Sequence, residues 1–213
     1  MEREFYFFAA KISYGWVHFF TWINMALIPK FVTFVCVGNI CRSPLAEFYC
    51  RHLASQSQCQ NIQAINFDSA GINGGNLPLA RRTRVFLESN GIDTLGFQSK
   101  KVSTEYFLEY DLIIVMESYL KSYILKYYFN HEDPAIKSKI ANRIMLFGEL
   151  ADLPSKEIPD PYLESDMIYM NVVDQIQRGC HNIVAKWEKI RKKSWYKRQI
   201  LQVRQILGYS IYE

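Results

Sequence analysis

The chain has 213 residues, of which 49% are hydrophobic and 22% charged, with a formal net charge of +4. That length holds one well-cored domain with appendages, and the composition excludes a disordered or fibrous chain. The mild positive balance suits an anionic substrate but lacks the concentrated basic face of a nucleic-acid reader, so no nucleic-acid partner is expected.

Residues 1–29 form a hydrophobic, aromatic-rich extension. No formal charge occurs from Ile12 to Ile28, which is near the lower length for a membrane span. Ser13, Gly15, His18 and Asn24 dilute the run, and its aromatics suit an interface better than a bilayer centre. No small-x-small site marks a cleaved signal. Three readings stay open: an anchor giving weak membrane association, a hydrophobic cover packed on the domain, or residues upstream of a start at Met25.

Phe31–Cys36 is a continuous apolar, β-branched run that predicts a strand buried on both faces. Val37 to Arg42 reads as a short polar turn, after which Ser43 is a candidate N-cap and Pro44 a first helical residue. Leu45, Phe48, Tyr49 and Leu53 give that helix its apolar face. A second strand is expected over Ile62 to Phe67, followed by Asp68-Ser69-Ala70-Gly71 and a loop rich in glycine. A helix is expected over Pro78 to Ser89, stopped by Asn90-Gly91. Tyr110 to Met116 predicts an interior strand, Ser118 to about Tyr128 a helix, and Arg143 to Phe147 a fourth strand. A loop carrying Pro154, Pro159 and Pro161 leads to a last helix from Ser165 to about Trp187. The basic residues from Lys186 to Arg204, interleaved with Trp195 and Tyr196, read as the solvated end of that helix. The boundaries are thus a domain at 30–187 and a basic extension at 188–213.

Strands alternating with helices imply an α/β fold, a parallel sheet with right-handed crossovers. Ligands bind such sheets beyond the carboxyl ends of the strands. The turn Cys36-Val37-Gly38-Asn39-Ile40-Cys41-Arg42 lies at that edge. It is a Cys-x5-Arg loop running into a helix N-terminus, where unpaired N–H groups and the positive dipole end favour a phosphate dianion. Gly38 and Asn39 tolerate the backbone angles that turn N–H groups inward as a nest. Arg42 offers a planar fork for two phosphate oxygens. The same field favours a thiolate nucleophile at Cys36, and Ser43 is placed to donate its hydroxyl to it. The loop is neither a Walker loop nor a dinucleotide fingerprint. Asp160-Pro161-Tyr162 supplies the proton donor this chemistry needs: an acid near a bound dianion keeps its proton. Five sparse cysteines (Cys36, Cys41, Cys50, Cys59, Cys180) form no zinc spacing and read as a reducing, cytoplasmic context.

Val35 to Glu47 (V-C-V-G-N-I-C-R-S-P-L-A-E), Asp68 to Gly71, Tyr110 to Glu117 and Ile158 to Tyr162 resemble, in family order, the low-molecular-weight protein-tyrosine phosphatases. Arg143 to Gly148 is most similar to the bacterial branch linked to capsule and exopolysaccharide export. The resemblance implies a phosphatase I-like fold, three layers with a four-stranded parallel sheet flanked by helices, and no metal or organic cofactor. It implies Cys36 as nucleophile, Arg42 as phosphate clamp and Asp160 as acid and then base. Val37, Gly38, Asn39, Ile40, Cys41 and Ser43 would bind the phosphate, with Ser69 supporting the loop. Ile40 and Tyr162 would line the slot for a phosphotyrosine ring. Cys41 would form a reversible disulfide with Cys36 under oxidation. The implied partner is a phosphotyrosine protein, either a bacterial tyrosine kinase or a host protein.

Two departures stand out. Phe97 occupies the place of a family histidine that supports the loop asparagine, and the loop after Gly71 lacks the usual aromatic wall. Competing readings are a phosphotyrosine-binding or membrane-recruited adaptor module, an arsenate reductase, and an arginine phosphatase. The reductases need further relay cysteines, and the arginine phosphatases carry a threonine at the place of Ile40.

Overall fold

The computed structural model describes residues 29–206, with side chains through Lys189. Pro29–Lys189 forms one compact unit. The readings of the amino-terminal extension, membrane association included, fall outside the described residues. Among these residues, no helix is long and apolar enough to cross a membrane.

The elements in chain order are β1 (Phe31–Cys36), α1 (Arg42–Gln56), α2 (Gln60–Gln63), β2 (Asn66–Gly71), α3 (Arg81–Ser89), α4 (Thr104–Leu108), β3 (Leu112–Val115), α5 (Ser118–Tyr127), α6 (Pro134–Ala141), β4 (Ile144–Leu146), α7 (Phe147–Leu150) and α8 (Asp166–Ile206). The four strands make one sheet in the order β2-β1-β3-β4, every neighbouring pair parallel. β1 is central, and all of it except Phe31 is buried. The chain runs from β1 to β2 on one side and then crosses over to β3 on the other, so a crevice opens at the carboxyl ends of β1 and β3.

Side chains alternate along β1. Phe34 faces an aromatic cluster in which its ring meets Phe67 at 6.3 Å and Phe147 at 6.2 Å. Phe67 in turn stacks on Trp187 of α8 at 6.1 Å. Helix α8 packs so closely here that a Cβ at Gly179 would lie 2.3 Å from the Phe147 ring. The opposite face of β1 carries Thr33, whose hydroxyl lies 2.6 Å from that of Tyr106 in α4. Helices therefore cover both faces, giving the three-layer α/β arrangement.

Several elements differ from the sequence reading. The second strand lies at Asn66–Gly71 rather than 62–67, because Ile62 is buried by the short helix α2 instead. The Asp-Ser-Ala-Gly segment is thus part of the sheet. Helix α3 begins at Arg81 rather than Pro78, and β3 and β4 are shorter than expected. Helices α4 and α6 were not foreseen, although Ser103 caps the first and Asp133 with Pro134 caps the second. Helix α8 runs through the basic segment to Ile206.

Asp68 anchors the polar part of the core. Its carboxylate accepts from Lys100, Tyr110 and Tyr106. Burial pushes this acid up, but the bonds from Lys100 and Tyr110 outweigh burial and hold it below its ordinary value. The folded state therefore gives up this proton more readily than the unfolded chain. The stability it contributes is present above the ordinary carboxylate range and is lost as pH falls through the depressed value. Asp68→Asn should lower Tm near neutral pH, with the gap to wild type closing as pH falls through the depressed value. A Tm difference that stays constant over that range would mean the charge is not its source.

Candidate active site

The apolar run of β1 stops at Cys36 because the next residues are a turn: Asn39 adopts φ 52, the left-handed region that asparagine tolerates. Gly38 does not share it, so the left-handed position expected at both residues belongs to Asn39 alone. The turn ends at Arg42, where α1 begins, with Cys41 as its N-cap residue and no side-chain cap. Ser43 is therefore not the cap. It lies inside the first turn, fully buried, and its hydroxyl is 3.0 Å from Cys36 Sγ and 3.3 Å from the Ala70 carbonyl.

The loop is held from beneath by β2. A Cβ at Gly71 would lie 2.6 Å from the Val37 carbonyl and 2.8 Å from the Asn39 nitrogen, so only glycine lets the loop sit there. Asn39 ties the pieces together. Its carboxamide nitrogen donates to Ser43 Oγ at 3.0 Å and to Ser69 Oγ at 2.8 Å. The Ser69 hydroxyl in turn donates to Glu47 Oε2 at 2.6 Å. Asn39 Oδ1 accepts from the Lys100 backbone N–H at 2.8 Å, and the Asn39 backbone N–H reaches Cys36 Sγ at 3.3 Å. Phe97 packs instead on Phe48, ring centroids 5.8 Å apart. Asn39 is thus supported by Ser69 and by backbone, with an aromatic where the family histidine was expected.

Arg42 is the largest fully buried side chain, at 1% exposure. Nη1 donates to Glu117 Oε2 at 2.5 Å and to the Ile158 carbonyl at 2.9 Å. Nη2 lies 2.7 Å from Asp160 Oδ2, an ion-pair contact without hydrogen-bond alignment. Nε and Nη2 are both buried and neither has a hydrogen-bond partner among the described residues. Burial works against the cation, and the surrounding charges of Cys36, Glu117 and Asp160 outweigh it. Burial also pushes the neighbouring Cys41 thiol up to about 11, leaving it protonated near neutral pH. Cys36 and Cys41 are both buried free cysteines.

Asp160 comes from the long loop before α8 and is held at both flanks. On one side Ile158 N–H bonds the Met116 carbonyl at the end of β3, and Glu157 accepts from the Ser118 N–H at the start of α5. On the other, Pro161 is buried while Tyr162 is half exposed. Ile40 is half-buried, and its carbonyl accepts from Ala80 N–H at 2.9 Å. A buried thiol, a buried arginine with two unused donors and a carboxylic acid thus converge at the carboxyl edge of the sheet. Sequence reasoning placed Cys36, Asn39, Arg42, Ser43, Ser69 and Asp160 in one site, and the structure brings them together. It missed Glu117 and Glu47, both inside quoted motifs but given no role, and Lys100, whose contribution is mainly backbone.

The family model described as low molecular weight phosphotyrosine protein phosphatase matches residues 31–195. The chain belongs to that family. Etp, a low molecular weight protein-tyrosine phosphatase of Escherichia coli K12, is 31% identical over 156 residues, covering 73% of this chain and 90% of that protein. The human low molecular weight phosphotyrosine protein phosphatase is 31% identical over 159 residues, covering 74% and 95%. The crystal structure of the tyrosine phosphatase Wzb from Escherichia coli K30, in complex with sulphate, superposes with a TM-score of 0.62 at 27% identity, over 75% of this chain and 99% of that one. The low molecular weight phosphatase described here is therefore an enzyme of the phosphatase class, with its fold shared across bacterial members.

Proposed function

We propose that the enzyme hydrolyses phosphotyrosine in proteins through a phosphocysteine intermediate. The observation that carries this reading is the pair of buried, unpartnered donors Nε and Nη2 on Arg42, an arginine electrostatically coupled to Cys36. A buried donor left unsatisfied is costly unless a ligand completes it, and a planar fork of two N–H groups fits two phosphate oxygens.

In the first step Cys36 Sγ attacks phosphorus, the ester P–O bond breaks, and Asp160 gives its proton to the leaving phenolic oxygen. Arg42 and the N–H groups of the loop take the charge on the equatorial oxygens. In the second step water attacks phosphorus while the Asp160 carboxylate accepts its proton, the S–P bond breaks, and inorganic phosphate leaves. Ser43 and the Asn39 N–H stabilise the departing thiolate. Val37, Gly38 and Cys41 shape the phosphate cradle, and Ile40 with Tyr162 flanks the ring. Glu117 and the Ile158 carbonyl occupy Nη1, which leaves Nε and, once Asp160 gives way, Nη2 for the phosphate. The physiological substrate we assign is a phosphotyrosine protein, such as a bacterial tyrosine kinase or a host protein.

The arginine phosphatase YwlE from Geobacillus stearothermophilus superposes at a TM-score of 0.61 with 18% identity, which is a likeness of fold. Substrate choice is therefore tested directly, with phosphotyrosine, phosphoserine and phosphoarginine peptides offered without metal. Turnover confined to phosphotyrosine is expected, and preference for phosphoarginine would overturn the substrate assignment. Asp160→Ala should slow phosphotyrosine turnover by about 10²–10⁴-fold. With 4-nitrophenyl phosphate, whose leaving group needs little protonation, the same variant should release a rapid burst of nitrophenolate and accumulate phosphate on Cys36, detectable by mass spectrometry after acid quench. Absence of any Cys36 adduct would count against the covalent route.

A further inference from the structure

The general acid sits on a loop, and a loop by itself does not hold a carboxyl to the tolerance that proton transfer needs. Its amino-terminal flank is fixed to the end of β3, as described above. Its carboxyl-terminal flank is fixed by one side chain from elsewhere in the fold. Arg82, in the first turn of α3, donates from Nη2 to the Pro161 carbonyl at 3.1 Å and the Tyr162 carbonyl at 3.0 Å. Its Nη1 donates to the Glu164 carbonyl at 2.9 Å and contacts Asp166 Oδ1 at 3.1 Å. The guanidinium also lies over the Tyr169 ring, 4.3 Å from its centroid.

The same turn of α3 is joined to the nucleophile loop. Ala80 N–H bonds the Ile40 carbonyl at 2.9 Å. Thr83 is buried, and its hydroxyl is 2.9 Å from the Tyr169 hydroxyl of α8. Residues 80–83 therefore grip the loop that carries Cys36 with one set of bonds and the loop that carries Asp160 with another. The geometry points to Arg82 as the positioning residue of the general acid, setting the separation between acid and nucleophile without touching substrate. The inference rests on the assignment of Asp160 as the acid.

A five-donor planar fork is the only side chain that can serve three carbonyls and a carboxylate at once. Arg82→Ala removes all of these bonds, and Arg82→Lys keeps the charge near Asp166 while losing the fork. The readout is kcat/KM, which reports the first transfer, on 4-nitrophenyl phosphate and on phenyl phosphate, whose more basic leaving oxygen depends on the acid. Arg82→Ala should lose on the order of 10- to 100-fold on phenyl phosphate and little on 4-nitrophenyl phosphate. Arg82→Lys should show the same pattern at smaller amplitude, and serves if the alanine variant does not fold. Inhibition by inorganic phosphate should not weaken in either. In an Asp160→Ala background neither substitution should cost anything further on phenyl phosphate, because there is no acid left to misplace.

Equal losses on the two substrates, weakened phosphate inhibition, or a loss that persists in the Asp160→Ala background would each overturn the role and make Arg82 a general structural residue. If Asp160→Ala alone is equally slow on both substrates, the acid assignment fails first and the inference falls with it.

Discussion

Cys36→Ser should reduce turnover of every phosphomonoester by at least about 10⁴-fold while leaving the fold intact. The argument is one of nucleophilicity against space. Serine is slightly smaller than cysteine, and its oxygen can keep the contacts that Sγ makes with Ser43 Oγ and the Asn39 N–H. What it cannot do is form the anion, since a hydroxyl lacks the easily ionised proton of a thiol and no neighbouring base takes its place. Arg42 and the helix terminus remain, so the variant should still bind phosphotyrosine peptides. The check is calorimetric titration of a phosphotyrosine peptide into Cys36→Ser beside a stopped turnover assay. Residual turnover close to wild type would place the nucleophile elsewhere. Loss of both binding and turnover, with an unchanged thermal transition, would show that the sulfur anion itself organises the loop.

Arg42→Lys should lower kcat/KM on the order of 10²–10³-fold with the cation retained, because the loss is of geometry rather than of charge. One ammonium cannot hold Glu117 and the Ile158 carbonyl and also supply the two donors that Nε and Nη2 present. Either the phosphate loses its fork or Glu117 loses its partner. Inhibition by inorganic phosphate should weaken in step with kcat/KM, which separates this variant from Arg82→Ala, where phosphate inhibition does not weaken. Since Arg42 is fully buried, Tm is measured alongside. A rate close to wild type with Lys at position 42 would mean that charge alone suffices and that the unused donors have no catalytic role.

The parts of this molecule that could be read from its residues are those whose signals are local. Phe31–Cys36 is apolar and β-branched throughout, and a strand buried on both faces has few other ways to be written. The Cys36–Arg42 turn carries its own punctuation in Gly38 and Asn39. The second strand was harder. Asn66–Gly71 contains Asp68 and Ser69, residues poor in strand propensity, and they are held there, half-buried and buried respectively, because partners distant in sequence satisfy them: Lys100 and Tyr110 for the first, Asn39 and Glu47 for the second. Ile62 and Ile65 offer a more conventional strand, which sets the expected strand four residues too early. Ser43 was misread for a related reason. Its hydroxyl is a good capping group, and the fold commits it to Cys36 and Asn39 instead.

Helices α4 and α6 are too short for periodicity to register, yet their caps were visible in Ser103 and in Asp133-Pro134. Arg82 had no such mark. It stands in a run of basic residues that reads as a solvated face, and only the return of the chain at residues 161–166 gives it a purpose. Glu117 likewise could be recognised as part of a motif but not as the partner of Arg42, because nothing in the spacing of 75 residues says which charge will meet which.

The contact between Asp160 Oδ2 and Arg42 Nη2 also has a thermodynamic meaning. Asp160 is a tethered anion beside the same guanidinium that grips phosphate, and tethering gives it a high effective concentration there. Every dianion that binds must displace this intramolecular rival, so the measured affinity is the intrinsic one reduced by the fraction of molecules in which the carboxylate is in place. With Asp160 in the role proposed above, the same carboxyl also keeps the product from lingering, and tight-binding oxyanion inhibitors should be sought among groups that accept a hydrogen bond from Asp160 and pair with Arg42.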